Sequence, residues 1–128
     1  MKLNEITEKI IGCAITVHRN LGLGFLESVY QAALAYELTQ IGLKFEKEKA
    51  LPVKYGNIML EIGFRCDFLV ENEVIGECKA VKELCQIDEA QILNYLKICN
   101  KQVGLLINFN TLKLIDGLKR IVNNYEEN

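Results

Sequence analysis

The chain has 128 residues, half of them apolar and a quarter charged, which is the length and composition of one globular domain with a hydrophobic core. Its formal net charge of −2 argues against a generally basic nucleic-acid-binding protein, although local basic patches remain compatible with it. No apolar run approaches the roughly 20 residues of a membrane span, and the early acidic, amphipathic N-terminus is unlike a signal peptide. We therefore expect a single domain over 1–128, located in the cytoplasm and without a membrane partner.

Hydrophobic periodicity predicts helices and strands in the order ααβ(β)ββαβ, followed by an ambiguous last element. Glycine-rich sequence separates the first two helices, and a buried apolar run predicts a central strand near the end. The predicted elements are helices over 4–20, 26–41 and 87–99, strands over 45–55, 58–62, 65–70, 74–79 and 102–109, and an uncertain segment over 112–125. This order predicts an α/β fold with a mixed central β-sheet flanked by helices.

The segment from Arg65 to Lys79 is the most informative part of the chain, because it places charges on a half-buried hairpin. If residues 71–73 form the loop, Asp67 lies opposite Glu77, and two such carboxylates repel unless a cation is supplied. Lys79 follows Glu77 by two and therefore shares its face of the strand. We favour a divalent metal held by Asp67 and Glu77, with Lys79 beside it, over a solvated surface pair.

The same register predicts an apolar set on the other face of the hairpin. It pairs Val70 with Val74, Phe68 with Gly76, and Cys66 with Cys78. Cys66 and Cys78 would then lie close enough for an adventitious disulfide. The five cysteines contain no C-x-x-C pair, so their spacing does not favour a zinc site, and we expect reduced, packed thiols.

Two helix faces carry further candidate residues, each with a plain structural explanation beside the functional one. Glu27 stands early in the second helix, where the helix dipole alone favours an acid, and Tyr30 on the same face fits the core equally well. Gln91 and Tyr95 lie four apart on one face of the third helix. They either cap the edge of the core, or they contact a phosphate and hold a metal ligand in place.

Taken together, several segments resemble the GxxExxY protein family. The resemblance rests on Val17-His18-Arg19, Gly24-Phe25-Leu26-Glu27-Ser28-Val29-Tyr30, Arg65-Cys66-Asp67, Glu77-Cys78-Lys79-Ala80, Glu89-Ala90-Gln91, Tyr95-Leu96 and 104–110. That family is grouped with the PD-(D/E)XK nuclease-like superfamily, so the resemblance implies a restriction-endonuclease-like core. The chain departs from the superfamily's name by having Cys66 in place of its proline.

The resemblance also implies roles for individual residues. Asp67, Glu77 and Lys79 match the catalytic motif, and Asp67, Glu77 and the carbonyl of Cys78 would hold the metal. Glu27 matches a first-helix glutamate that often joins the metal site.

On the third helix, Gln91 and Tyr95 are similar to the Q-x-x-x-Y pair of the exonuclease-like branch. They would position the substrate or support the metal ligands, and Tyr30 is expected to act in the same supporting group.

The expected function is therefore hydrolysis of phosphodiester bonds with Mg²⁺ or Mn²⁺, with nucleic acid as the partner and DNA favoured over RNA. The alternative is a catalytically silent module of the same fold that binds nucleic acid or protein. The acidic net charge favours the silent module, whereas the intact acids and lysine favour the nuclease. A homodimer is left open in both cases.

Overall fold

The computed structural model describes residues 1–124, with the side chains of 61–64 outside the description. Three helices and five strands make up the fold, with one short 3₁₀-helix before the last strand. The elements are α1 (Leu3–Leu21), α2 (Glu27–Gln40), β1 (Phe45–Tyr55), β2 (Ile58–Val70), β3 (Val74–Lys79), α3 (Gln86–Cys99), β4 (Val103–Asn108), the 3₁₀-helix (Leu114–Gly117) and β5 (Leu118–Val122).

The five strands form one sheet in the order β1-β2-β3-β4-β5. β3 and β4 are parallel, and the other neighbouring pairs are antiparallel. The parallel pair requires a crossover, which α3 supplies. Every residue of β4 is buried, as its continuous apolar sequence predicts for a central strand. The expected α/β class, a mixed sheet flanked by helices, is confirmed.

Two apolar clusters cover the two faces of this sheet. The larger cluster joins α1 and α2 to one face through residues such as Ile10, Leu34 and Phe68. The smaller cluster joins α3 to the other face and includes Ile92. Gly104 permits close contact there, because a Cβ at this position would lie 2.8 Å from Cγ2 of Ile92.

Two predicted elements differ from the observed ones. The predicted strands over 58–62 and 65–70 are one continuous strand, β2. The ambiguous last segment contains the 3₁₀-helix and β5, and its end at 125 lies outside the described residues. Across 1–124, no helix has both the length and the apolar character needed to cross a membrane.

The predicted hairpin register is confirmed for Val70 with Val74 and for Phe68 with Gly76, where the ladder ends. The prediction that the Cys66 and Cys78 thiols lie close together is wrong. Their side chains are buried in different clusters, Cys66 on the α3 face and Cys78 on the α1–α2 face, and both are free thiols.

The physical reason is a break in side-chain alternation along β2. Cys66 and Phe68 are two residues apart, yet they face opposite sides of the sheet. In β1, Glu48 lies between the pairs Lys47–Phe68 and Lys49–Cys66 and has a φ of 53°. A left-handed residue interrupts the regular pleat of β1 at this point, and the alternation along β2 breaks directly opposite it.

Candidate active site

The candidate site lies where β2 and β3 separate beyond the Phe68–Gly76 pair. There the N–H of Asp67 donates to Oε1 of Glu77 at 2.9 Å, and the N–H of Cys78 donates to Oδ2 of Asp67 at 2.8 Å. The two carboxylates thus accept the backbone hydrogen bonds that strand carbonyls would otherwise accept. We call this arrangement the carboxylate fork.

The fork leaves oxygen atoms available for a further ligand. Each carboxylate uses one oxygen in these bonds, so that Oδ1 of Asp67 and Oε2 of Glu77 remain. The N–H of Cys78 points toward β2, and the N–H and C=O of one strand residue point to the same side. The carbonyl of Cys78 therefore also faces the gap between the strands, while its thiol is buried in the cluster under α1 and α2.

Burial disfavours ionisation of the Glu77 carboxyl. Its side chain is 6% exposed, and burial followed by the adjacent Asp67 carboxylate raises the pKa of Glu77 to about 8. The hydrogen bond from the Asp67 N–H and the charge of Lys79 act in the opposite direction but do not cancel the increase. A cation would relieve this cost, because it favours the ionised form of Glu77.

Lys79 ends β3, two residues after Glu77, and its ammonium points toward the start of α3. Its Nζ lies 4.0 Å from Oδ1 of Asp88, and both side chains are about four-fifths buried, with exposures of 21% and 17%. Within the described residues, Lys79 forms no ion pair with Asp67, Glu77 or Glu27.

Glu27 approaches the same region as the first residue of α2. Burial raises the pKa of its carboxyl; Lys79 lowers it, and Asp67 and Asp88 raise it further. These interactions place Glu27 within electrostatic reach of the fork. Among the described residues, however, no three His, Cys, Asp or Glu side chains form a ready-made metal cluster.

The side chain of Tyr30 lies in the core, fully buried, rather than at the surface of the site. Its hydroxyl donates to the carbonyl of Gly22 at 2.6 Å, and its ring stacks on Phe109 with centroids 4.7 Å apart. These contacts fix the loop that leads into Glu27.

The two polar residues predicted on α3 occupy different environments. Tyr95 is 8% exposed and packs in the cluster on that face. Burial, and then the charges of Glu77, Asp67 and Cys66, raise the pKa of Tyr95 to about 12, which places its ring beside the fork. Gln91, one turn earlier, is exposed to solvent.

The sequence as a whole is similar to a known protein family. The model of the PD-(D/E)XK nuclease superfamily matches residues 4–121. The chain belongs to the PD-(D/E)XK nuclease superfamily.

A solved structure has a similar fold. The crystal structure of SSO0001 matches with a TM-score of 0.59 and 18% sequence identity, over 77% of this chain and 50% of that chain. The present chain thus spans half the length of SSO0001, and the likeness shows the shared fold. No curated protein matches the sequence.

A divalent cation such as PD-(D/E)XK nucleases generally use fits the donors of the fork. They are carboxylate oxygens from Asp67 and Glu77 and the carbonyl of Cys78, with the carboxylate of Glu27 nearby. An all-oxygen set suits a hard cation and does not suit zinc bound through thiolates. The raised pKa of buried Glu77 supports the same conclusion, because a cation would stabilise the ionised carboxylate that burial disfavours.

Two residues beside Lys79 were not predicted from the sequence. One is Asp88, the partner of Lys79. Its signal was its place at the start of α3, where an acid three residues after Cys85 completes a capping box.

The other missed residue is Asn108, which pairs with Lys79 in the β3–β4 ladder and is 2% exposed. Its Nδ2 donates to the carbonyl of Val81 at 2.9 Å, and its Oδ1 accepts from the N–H groups of Val81 and Asn110 at 3.1 and 3.2 Å. Asn108 thereby holds the chain that directly follows Lys79. A polar residue ending a buried strand was the available signal.

Proposed function

We propose that this protein is a Mg²⁺- or Mn²⁺-dependent nuclease of the GxxExxY type, which hydrolyses phosphodiester bonds in DNA in preference to RNA. The carboxylate fork carries the proposal. It brings Asp67 and Glu77 into contact at the end of a strand pair, with Lys79 on the adjoining strand end.

Asp67, Glu77 and the carbonyl of Cys78 would hold the cation, with Glu27 as an additional or water-mediated ligand. When bound there, a divalent cation would supply Lewis-acid chemistry, which polarises phosphate oxygens and favours deprotonation of water. The burial of Glu77 limits competition from bulk solvent for the bound ion.

The remaining residues supply charge and orientation. Lys79 would orient the attacking water or stabilise the negative charge that develops on the phosphate. Tyr95 supports the acids from the α3 face, and exposed Gln91 is available to the backbone of a nucleic acid. Tyr30 acts indirectly, through the loop that positions Glu27.

Cleavage of labelled single- and double-stranded DNA and RNA in Mg²⁺ and in Mn²⁺ tests this proposal. We expect the wild type to cut at least one substrate and Glu77→Gln, which retains an acceptor for the Asp67 N–H, to be inactive. Glu83→Gln is the matched control, since Glu83 is an exposed glutamate just beyond the strand that carries Glu77. Loss of activity in Glu77→Gln together with full activity in Glu83→Gln would assign the cleavage to this site.

The silent binding module is the second candidate, and one observation favours it. Asp67 and Glu77 hold the strand ends through backbone hydrogen bonds, so a structural role alone gives a reason to keep both residues. If the wild type cuts none of the substrates in either metal, the nuclease proposal is wrong. Binding of the same labelled strands without cleavage would then support the module.

A further inference from the structure

The Lys79 ammonium has more than one acid within electrostatic reach. It interacts with Glu27 and Glu77, and Asp67 lies against Glu77. A lysine has a flexible stem and a compact charge, so it can turn toward any acid within reach. In the structure it faces Asp88 instead, with 4.0 Å between Nζ and Oδ1.

Asp88 is held rigidly by the first turn of α3. Its Oδ2 accepts hydrogen bonds from the N–H of Cys85 at 3.0 Å and from the Cys85 thiol at 3.4 Å. The N–H of Asp88 in turn donates to the carbonyl of Cys85 at 3.1 Å. One carboxylate oxygen therefore caps the helix, while the other is fixed in the direction of Lys79.

This geometry has a consequence for a cation at the fork. An ammonium that folded onto Asp67 and Glu77 would neutralise the charges that attract the metal and would occupy the same oxygens. A fixed negative charge on the opposite side offers the ammonium an alternative partner. Because the Lys79–Asp88 pair is largely buried, solvent screens it less than it screens a surface pair.

We infer that Asp88 is a positioning residue, which holds Lys79 toward α3 and keeps its ammonium from competing with a divalent cation at Asp67 and Glu77. The inference rests on the proposed function, since it presumes a metal at the fork. It assigns Asp88 a role that acts through Lys79 and requires no contact between Asp88 and the metal.

A simpler effect of Asp88 must be separated from this one. Any negative charge near a metal site raises cation affinity through its field, whether or not a lysine is present. The field of Asp88 would act equally in proteins with and without Lys79. Positioning through Lys79 would disappear once the lysine is removed. A double-mutant cycle distinguishes the two.

The experiment measures Mn²⁺ affinity by calorimetry for the wild type, Asp88→Asn, Lys79→Met and the double variant. We expect Asp88→Asn to weaken Mn²⁺ binding on the order of tenfold in the wild-type background. In the Lys79→Met background the same substitution should change affinity by less than about threefold. Glu89→Gln is the control, because Glu89 lies in the same helical turn but pairs with Lys119 at 3.7 Å; its affinity should equal that of the wild type.

Asp88→Gln provides a second variant if the asparagine disturbs α3, because glutamine at this capping-box position also accepts the N-cap N–H. Equal losses in both backgrounds would show a field effect and overturn the inference. Unchanged affinity in Asp88→Asn would overturn it too, while leaving the proposed nuclease intact. A wild type that binds no Mn²⁺ would refute the proposed metal site and, with it, the role of Asp88.

Discussion

The N–H of Asp67 donates to the carboxylate of Glu77 at 2.9 Å, and the carboxylate of Asp67 accepts from the residue that follows Glu77. Each acid is therefore bound to the strand of the other. The exchange brings two acidic side chains together, and it also satisfies two backbone donors at a point where the strands no longer pair. Replacing an acid by its amide removes the negative charge but keeps a hydrogen-bond acceptor. Such substitutions therefore distinguish the role of the charge from the role of the backbone hydrogen bond.

The first prediction concerns the dependence of stability on pH in the presence of chelator. The pKa of Glu77 is raised from its ordinary value of 4.5 to about 8 in the folded protein. Between these values the folded state binds more protons than the unfolded state, so the free energy of unfolding falls as the pH rises. Urea denaturation from pH 5 to 9 should show this decrease, and Glu77→Gln should remove more than about 1 kcal/mol of it.

Glu83→Gln is the control for this measurement, because Glu83 is an exposed acid in the loop after β3. It should retain the wild-type decrease. Parallel curves for the wild type and Glu77→Gln would contradict the predicted charge state.

The second prediction compares two substitutions of Asp67. Asp67→Asn keeps an acceptor for the N–H of Cys78, and above the pKa of Glu77 it removes one of two repelling charges. At pH 9 in chelator it should therefore be at least as stable as the wild type. Asp67→Ala leaves that N–H without its partner, which costs about 1–3 kcal/mol. Both should lose Mn²⁺ binding in calorimetry. Wild-type Mn²⁺ affinity in both variants would rule out Asp67 as a ligand.

The third prediction separates Lys79 from the acids. Lys79→Ala should keep or increase Mn²⁺ affinity, because a positive charge near the metal is removed. It should nevertheless lose phosphodiesterase activity on the order of a hundredfold or more, as expected for a lost electrostatic stabiliser. Calorimetry and single-turnover cleavage measure the two properties independently. Equal cleavage by the variant and the wild type would mean that Lys79 has no role in the reaction.

The fourth prediction concerns Gln91, which is exposed on α3. Gln91→Ala should lower activity while changing the free energy of unfolding by less than about 0.5 kcal/mol, as surface substitutions usually do. Denaturation and cleavage assays on the same sample test this. A loss of several kcal/mol with wild-type turnover would instead make Gln91 a structural residue.

The fifth prediction concerns Asn108, whose side chain binds both the N–H and the carbonyl of Val81. Asn108→Ala should destabilise the fold by about 1–3 kcal/mol, because the part-buried N–H of Val81 loses its acceptor and the carbonyl loses a donor. Activity should fall further than stability explains, since the segment after Lys79 is released, while Mn²⁺ affinity is retained. Full activity at a temperature where the variant is folded would contradict this role.

Local sequence was sufficient to predict the hairpin register near its loop and the proximity of Asp67 and Glu77. Both depend on the two-residue period of a strand and on a short connection. Local sequence could not predict the break in alternation between Cys66 and Phe68, which lies opposite the left-handed backbone of Glu48 in another strand.

Tertiary contacts account for the other differences. Asp88 reaches Lys79 only after α3 has packed on the sheet, so its role could not be deduced from a helix-capping pattern alone. The motif that Tyr30 shares with Glu27 predicts a supporting role at the site. The burial of Tyr30 against Phe109 depends on the strand that ends nearly eighty residues later in the chain.

The carboxylate fork also bears on how sequences of this fold should be compared. A homologue without nuclease activity would still need a hydrogen-bond acceptor at position 67 for the N–H of Cys78. It would also need one at position 77 for the N–H of Asp67. Asparagine and glutamine meet that need without the repulsion that two acids bring. We therefore expect substitution of these acids by amides to be tolerated before substitution by apolar residues. A homologue with amides at both positions would have the fold without the proposed metal site.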